Sequence, residues 1–188
     1  LHSAAQMIAC GRAIAAVAEP GDVVILDGPL GAGKTTFTRG FGEGLNVRGP
    51  ITSPTFVIAR VHPSLSAGPA LVHVDAYRID SLEDIDSLDL DESLEDSVTV
   101  VEWGLGRVEH LADTYLVVSL GRSKSVQEGE DGNLAGDDDV RTLEWRAVGE
   151  GWNGRIPRLS QFFGGALNSG APPVIVFGQL KGRVVCRP

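Results

Sequence analysis

Residues Gly28-Pro29-Leu30-Gly31-Ala32-Gly33-Lys34-Thr35 set three glycines, a lysine and a hydroxyl in the pattern G-x-x-x-x-G-K-[ST]. The chemistry open to that pattern is the gripping of phosphate. Glycines let the chain curl until successive backbone N–H groups point inward, and the N-terminus of a following helix adds more donors. Lys34 brings a flexible point charge that reaches the β- and γ-phosphates of a nucleotide. The Thr35 hydroxyl can ligate a Mg²⁺ ion bridging those phosphates.

A phosphate grip hydrolyses nothing by itself; it needs an acid at the end of a neighbouring strand. Two acids close short apolar runs, Asp75 in LVHVD and Glu102 in VTVVE. Pattern alone ranks them equally. One can hold the metal while the other orients water, and either can instead be a capping or salt-bridging acid. His73 stands two residues before Asp75 and so shares its face of the strand; the reading is a satisfied structural histidine. Ser53-Pro54-Thr55 offers two hydroxyls that can sense a γ-phosphate. An ordinary turn into a strand explains them as well, and both readings stay open.

These residues need elements to position them. Residues 3–18 are Ala-rich and predict a helix, capped by Ser3 and ended by Glu19-Pro20-Gly21. Residues 23–26 (VVIL) predict a strand buried on both faces. The glycine-rich loop follows at once, and a helix begins near Lys34. Further strands are predicted at 55–61, 71–74, 98–101, 115–120 and 142–147, with a short helix at 105–111. Short buried strands separated by helices or loops imply an α/β domain with a mostly parallel sheet.

The chain has 188 residues, 43% of them hydrophobic, enough for one compact core. A net charge of -9 argues against wrapping nucleic acid over the whole surface. All 25 acidic residues fall within positions 1–152. Residues 153–188 carry Arg155, Arg158, Lys181, Arg183 and Arg187 with no acid, plus Gly164-Gly165, Pro172-Pro173 and a strand-like run at 174–177. That shift marks an expected boundary between a domain at 1–152 and a basic tail at 153–188. Positions 80–96 hold nine acids and no Lys or Arg. They read as a solvated helical face anchored by a few leucines, or as a docking surface for a basic partner. Positions 128–139 read as a hairpin loop. Cys10 and Cys186 form no redox or metal motif, and the four histidines show no metal-ligand spacing. A start at Leu1 says nothing of a leader. No apolar run approaches the ~18 residues of a membrane span, and a cytoplasmic location is expected.

The run GPLGAGKTTFTRGF at 28–41, then ITSPTF at 51–56, HVDAYR at 73–78 and VVEWG at 100–104, resembles the TsaE (YjeE) family, in order and in spacing. SLDLDESLED at 87–96 is similar to actinobacterial members. The likeness spans roughly residues 5–147. It implies a P-loop NTPase-like three-layer sandwich with a central, mostly parallel sheet and C-terminal antiparallel strands. It implies ATP and Mg²⁺ as cofactors, slow ATP hydrolysis alone, and association with the TsaB and TsaD proteins. Those proteins form threonylcarbamoyladenosine at position 37 of tRNAs that read ANN codons, so tRNA is met only through the complex. By resemblance, Thr35 and Glu102 are the metal ligands. Gly31, Ala32, Gly33, Lys34, Thr35 and Thr36 hold the phosphates. Asp75 serves hydrolysis beside Lys34, Thr55 belongs to a nucleotide-responsive segment, and Trp103 lies near the nucleotide. The family's early Thr-x-x-Leu-Gly is here Met7-Ile8-Ala9-Cys10-Gly11, where only the glycine agrees.

The alternative function is a small-molecule or nucleotide kinase on a P-loop scaffold. A kinase lid needs arginines to close over phosphates, whereas the long inserts at 80–96 and 128–139 are acidic. A non-hydrolysing nucleotide sensor is a third reading, opposed by the presence of both Asp75 and Glu102.

Overall fold

The structure, a computed structural model, describes residues 3–55, 58–78, 95–124, 139–159, 174–176 and 179–185. The acidic segment from Asp80, except its end at 95–96, and the expected hairpin loop up to residue 138 lie outside the described residues.

The first helix, α1 (Ala4–Ala15), forms where alanine-rich sequence meets a cap: the Ser3 side chain accepts from the Gln6 N–H at 3.2 Å. Next comes β1 (Val23–Asp27), whose Val23, Val24, Ile25 and Leu26 are all buried. Helix α2 (Lys34–Gly44) follows the glycine-rich loop. Then come β2 (Ala59–His62), β3 (Ala70–Asp75), β4 (Ser97–Glu102), β5 (Tyr115–Lys124) and β6 (Asp139–Val148). Two late strands, β7 (Val174–Val176) and β8 (Gln179–Val185), complete one eight-stranded sheet in the order β2-β3-β4-β1-β5-β6-β8-β7. Its centre, β3-β4-β1-β5, is parallel, and the strands outside it pair antiparallel. The α/β class, the parallel centre and the antiparallel C-terminal strands agree with expectation.

Both faces of that centre are covered, which explains runs such as VVIL and VTVV that do not alternate. Leu71, Val98, Val100, Val24, Leu26, Leu116 and Val118 face α1 and α2, packing with Met7, Phe37 and Phe41. Val23, Ile25, Val72, Val74, Val101 and Val117 face the other way, onto Val108, Leu111 and Ala112. Among the described residues that second layer is thin. The helix expected at 105–111 is a single 3₁₀ turn, Glu109–Leu111.

Helices α1 and α2 touch through their backbones. A Cβ on Gly11 would land on the carbonyl oxygen of Phe37, and one on Gly40 on that of Ile8. Gly11, the one residue that agrees with the family's early motif, is therefore a helix-crossing residue.

The strand expected at 55–61 begins four residues later and runs antiparallel to β3. A turn intervenes: the Ile58 N–H donates to Pro54 O at 2.7 Å, with Ile58 at φ 66°. Residues 152–159 continue past the expected boundary into the helix-side core, where Trp152, Ile156 and Leu159 are buried. Arg155 pairs with Asp22 through both guanidinium nitrogens, donates to Val17 O and Gly151 O, and lies 4.2 Å over the Trp152 ring.

Candidate functional site

The parallel strands deliver their side chains to one end of the sheet. The glycine-rich loop leaves the C-terminal end of β1, where Leu26 is in register with Glu102 of β4, and Glu102 is in register with Asp75 of β3. In open α/β sheets this end is where ligands bind. Both acids share the face that carries Leu71, Val98 and Val100, so both point toward the start of α2.

The loop takes shape through two glycines. Gly33 caps α2 at φ 107°, a left-handed conformation that disfavours side chains. Gly28, at φ 137°, lies so close to β5 that a Cβ would collide with Leu120 O. The result is a cleft of about 450 Å³, within the range of small-ligand sites. Its walls include Gly31, Gly33, Lys34, Thr35, Thr36, Thr55, Asp75, Glu102 and Trp103. Of the residues expected at the nucleotide, Ala32 alone is off that wall. It is fully buried and its N–H donates to Pro29 O at 3.1 Å.

Lys34 is 5% exposed. Its Nζ donates to Gly28 O at 2.6 Å and Pro29 O at 3.1 Å, and lies 3.4 Å from the centroid of the Trp103 ring. Burial holds the ammonium's pKa below the usual lysine value, against the opposing pull of Glu102, Asp27 and Asp75. A phosphate in the loop can take over the place of the two carbonyls. Trp103 reaches this position through a left-handed backbone, φ 63°, with its N–H donating to Leu26 O at 2.8 Å. For a bulky residue that conformation is strained, a feature that gathers at functional sites. Tyr77 stacks obliquely on it, ring centroids 5.1 Å apart.

The two acids have different surroundings. Glu102 Oε2 accepts from the Thr35 hydroxyl at 3.1 Å, and Oε1 lies 2.8 Å from His73 Nε2. Asp75 Oδ2 accepts from Ser53 at 2.9 Å and Thr55 at 2.6 Å, and Oδ1 accepts from the Tyr77 N–H at 3.0 Å. Beside these hydroxyls, the Ile58 carbonyl accepts from the Asp75 N–H at 2.8 Å. Thr35 and Glu102 thus set two hard oxygen donors side by side. No cluster of three His, Cys, Asp or Glu suited to a metal occurs among the described residues. That donor set fits Mg²⁺, which takes one or two protein oxygens and fills its shell with water and phosphate.

Arg141, on β6, also lines the cleft and was missed in the sequence. It is the cross-strand partner of Arg122 on β5. Their Nη1 atoms lie 3.7 Å from where a Cβ would stand on Gly33 and Gly31 respectively, beside the glycine loop. Nothing local marks either arginine; only the β5–β6 register brings them there.

Comparison with known proteins follows the same lines. Residues 1–129 match the family model described as threonylcarbamoyl adenosine biosynthesis protein TsaE. A protein named tRNA threonylcarbamoyladenosine biosynthesis protein TsaE from Streptomyces coelicolor is 54% identical over 143 residues, covering 76% of this chain and 90% of that protein. One of the same name from Bacillus subtilis is 36% identical over 154 residues, covering 81% of this chain and 87% of its own length. The crystal structure of YdiB from Bacillus subtilis superposes with a TM-score of 0.62 at 31% identity, over 85% of this chain and 90% of that one.

Proposed function

The chain belongs to the TsaE family of threonylcarbamoyladenosine biosynthesis proteins, and from that premise we propose that it is the ATPase of a tRNA-modifying assembly. Its function lies in forming threonylcarbamoyladenosine in tRNA, beside partners of the TsaB and TsaD kind, in the cytoplasm. No helix among the described residues is long and apolar enough to cross a membrane.

One observation carries the ATPase reading: two buried carboxylates in register at the mouth of one phosphate-binding loop, each engaged by a different hydroxyl group. Their surroundings support one division of labour. The loop from Gly31 to Thr36 and the Lys34 ammonium hold the phosphates of ATP. Thr35 and Glu102 hold Mg²⁺, which when bound neutralises charge on the phosphate oxygens. Asp75 orients the attacking water and takes its proton once Ser53 and Thr55 release it. With both hydroxyls on Asp75, hydrolysis by the chain alone is slow. Trp103 closes the cleft beside the nucleotide.

Phosphate release from ATP tests the proposal, measured for the chain alone and with a TsaB–TsaD pair. The expected result is low basal release, raised by the pair and absent without Mg²⁺. Phosphate appearing on a small acceptor, with no stimulation, would favour the kinase. Arg122 and Arg141, beside the glycine loop, belong to sheet strands; a closing lid would carry its arginines on a loop.

A further inference from the structure

We propose that His73 is a positioning residue that aims the metal-binding carboxylate of Glu102, which gives this buried histidine a role in the site. The inference rests on the reading of Glu102 as a magnesium ligand.

The geometry is specific. His73 and Glu102 are 0% and 3% exposed, and Nε2 and Oε1 are 2.8 Å apart. The sheet sets this contact. Asp75 is in register with Glu102 and His73 with Val100, so His73 lies one diagonal step from Glu102 on the same face. An ionised carboxylate only accepts hydrogen bonds, so the imidazole must present an N–H at Nε2. Each oxygen of Glu102 then has one assigned partner: His73 on Oε1, Thr35 on Oε2. Fixing Oε1 stops the carboxylate from rotating and leaves Oε2 directed at Thr35 and the loop. Ligands oriented by a second layer of hydrogen bonds are a general feature of metal sites.

A filler role explains less. An apolar side chain would pack this position without polar cost, yet the imidazole also buries Nδ1, which finds no protein partner among the described residues. His62, in the adjacent strand, likewise buries a partnerless Nε2, with ring centroids 6.5 Å apart. An imidazole here costs one unsatisfied nitrogen, and what it returns is the other nitrogen's bond to Glu102.

The test uses Mn²⁺ as a paramagnetic stand-in for Mg²⁺. Its affinity is read by electron paramagnetic resonance in the presence of a saturating non-hydrolysable ATP analogue. Binding of the analogue without metal is measured in parallel, as a check on folding and on the phosphate grip. A Gln amide nitrogen reaches about the place of Nε2, and an Asn amide nitrogen only that of Nδ1. His73→Gln is therefore expected to keep Mn²⁺ affinity within about threefold, and His73→Asn to lose about tenfold. Metal-free analogue binding should hold in both. Equal Mn²⁺ affinities in the two variants overturn the positioning role. If the Asn variant fails the metal-free check, His73→Gln decides alone, and a tenfold loss there overturns the role. Glu102→Gln separates this failure from failure of the underlying reading. If that variant binds Mn²⁺ as wild type does, Glu102 is not a ligand and both ideas fall. If it loses affinity while both His73 variants keep it, only the role of His73 falls.

Discussion

At the scale of single residues, the two acids are told apart by what holds them. Asp75 has hydroxyls on one oxygen and a backbone N–H on the other, an arrangement that an amide can largely imitate. Asp75→Asn should therefore keep nucleotide affinity within about threefold while lowering the rate of ATP hydrolysis about a hundredfold, at the lower end of what a positioned base supplies. Phosphate release and equilibrium binding on the same preparation check this; unchanged release would remove Asp75 from the reaction. His62 gives a second prediction. Burial lowers its pKa below the usual 6.5, more strongly than its bond to Arg48 O raises it, and His73 and Arg60 push the same way as burial. The unfolded chain then binds the proton more readily than the fold does. Stability should fall as pH drops below about 6.5 toward the lowered value. His62→Asn should flatten that slope in urea titrations run between pH 7.5 and 5.5, and an unchanged slope would count against it. At this scale the sequence was most legible. The loop, both acids and the Ser53–Thr55 pair are short motifs whose chemistry is local. The pairing of Thr35 with Glu102 came only through the resemblance, and Ser53–Asp75 and His73–Glu102 were not legible, because the fold alone brings those residues together.

At the scale of elements, the glycine loop is set on one side by a close helix contact and faced on the other by the Ser53–Thr55 segment. Helix α2 is locked to α1 by glycines at which neither helix can give way. Gly11→Ala would drive a methyl group into the Phe37 carbonyl, and about 2–3 kcal/mol of stability should be lost. A urea midpoint matching wild type would show that the helices can separate to admit it. The opposite wall includes Ser53 and Thr55, and Ile58, a β-branched residue just before β2, has a left-handed conformation. Periodicity read this stretch as a strand from Thr55. It could not see that the strand begins only at Ala59, or that Ser53 and Thr55 donate their hydroxyls to Asp75. The short helix expected at 105–111 shrank to one turn for a related reason. Its apolar residues Val108 and Leu111 cover the sheet without needing a full helix.

At the scale of the whole molecule, the fold class was legible because each central strand is a short apolar run bounded by turn residues. Strand order was not, since nothing local in the sequence places β1 between β4 and β5. The composition shift near residue 152 also hid a long-range tie. Arg155 is basic, as its neighbourhood suggested, but it is buried against Asp22 and Trp152. Arg155→Ala leaves Asp22 buried without its guanidinium. It should cost about 3–5 kcal/mol, read as a lower urea midpoint, with nucleotide affinity of the folded fraction unchanged. A chain ended near Gly151 should show a loss at least as large. Wild-type stability in that shortened chain would set residues 153–188 apart from the P-loop domain.

The same tie has a consequence for how the chain is made. Asp22 and Arg155 are 133 positions apart. At synthesis rates of ~5–20 residues per second, Asp22 waits roughly 7–27 seconds for its partner to be polymerised. The strand beside it, β1, is the middle of the sheet yet leaves the ribosome before either neighbour, β4 or β5, exists. For that interval the most apolar stretch of the protein has no sheet to join. Strand β1 is thus made first and paired later, and the sheet is completed only when β8, made after Arg155, pairs with β6.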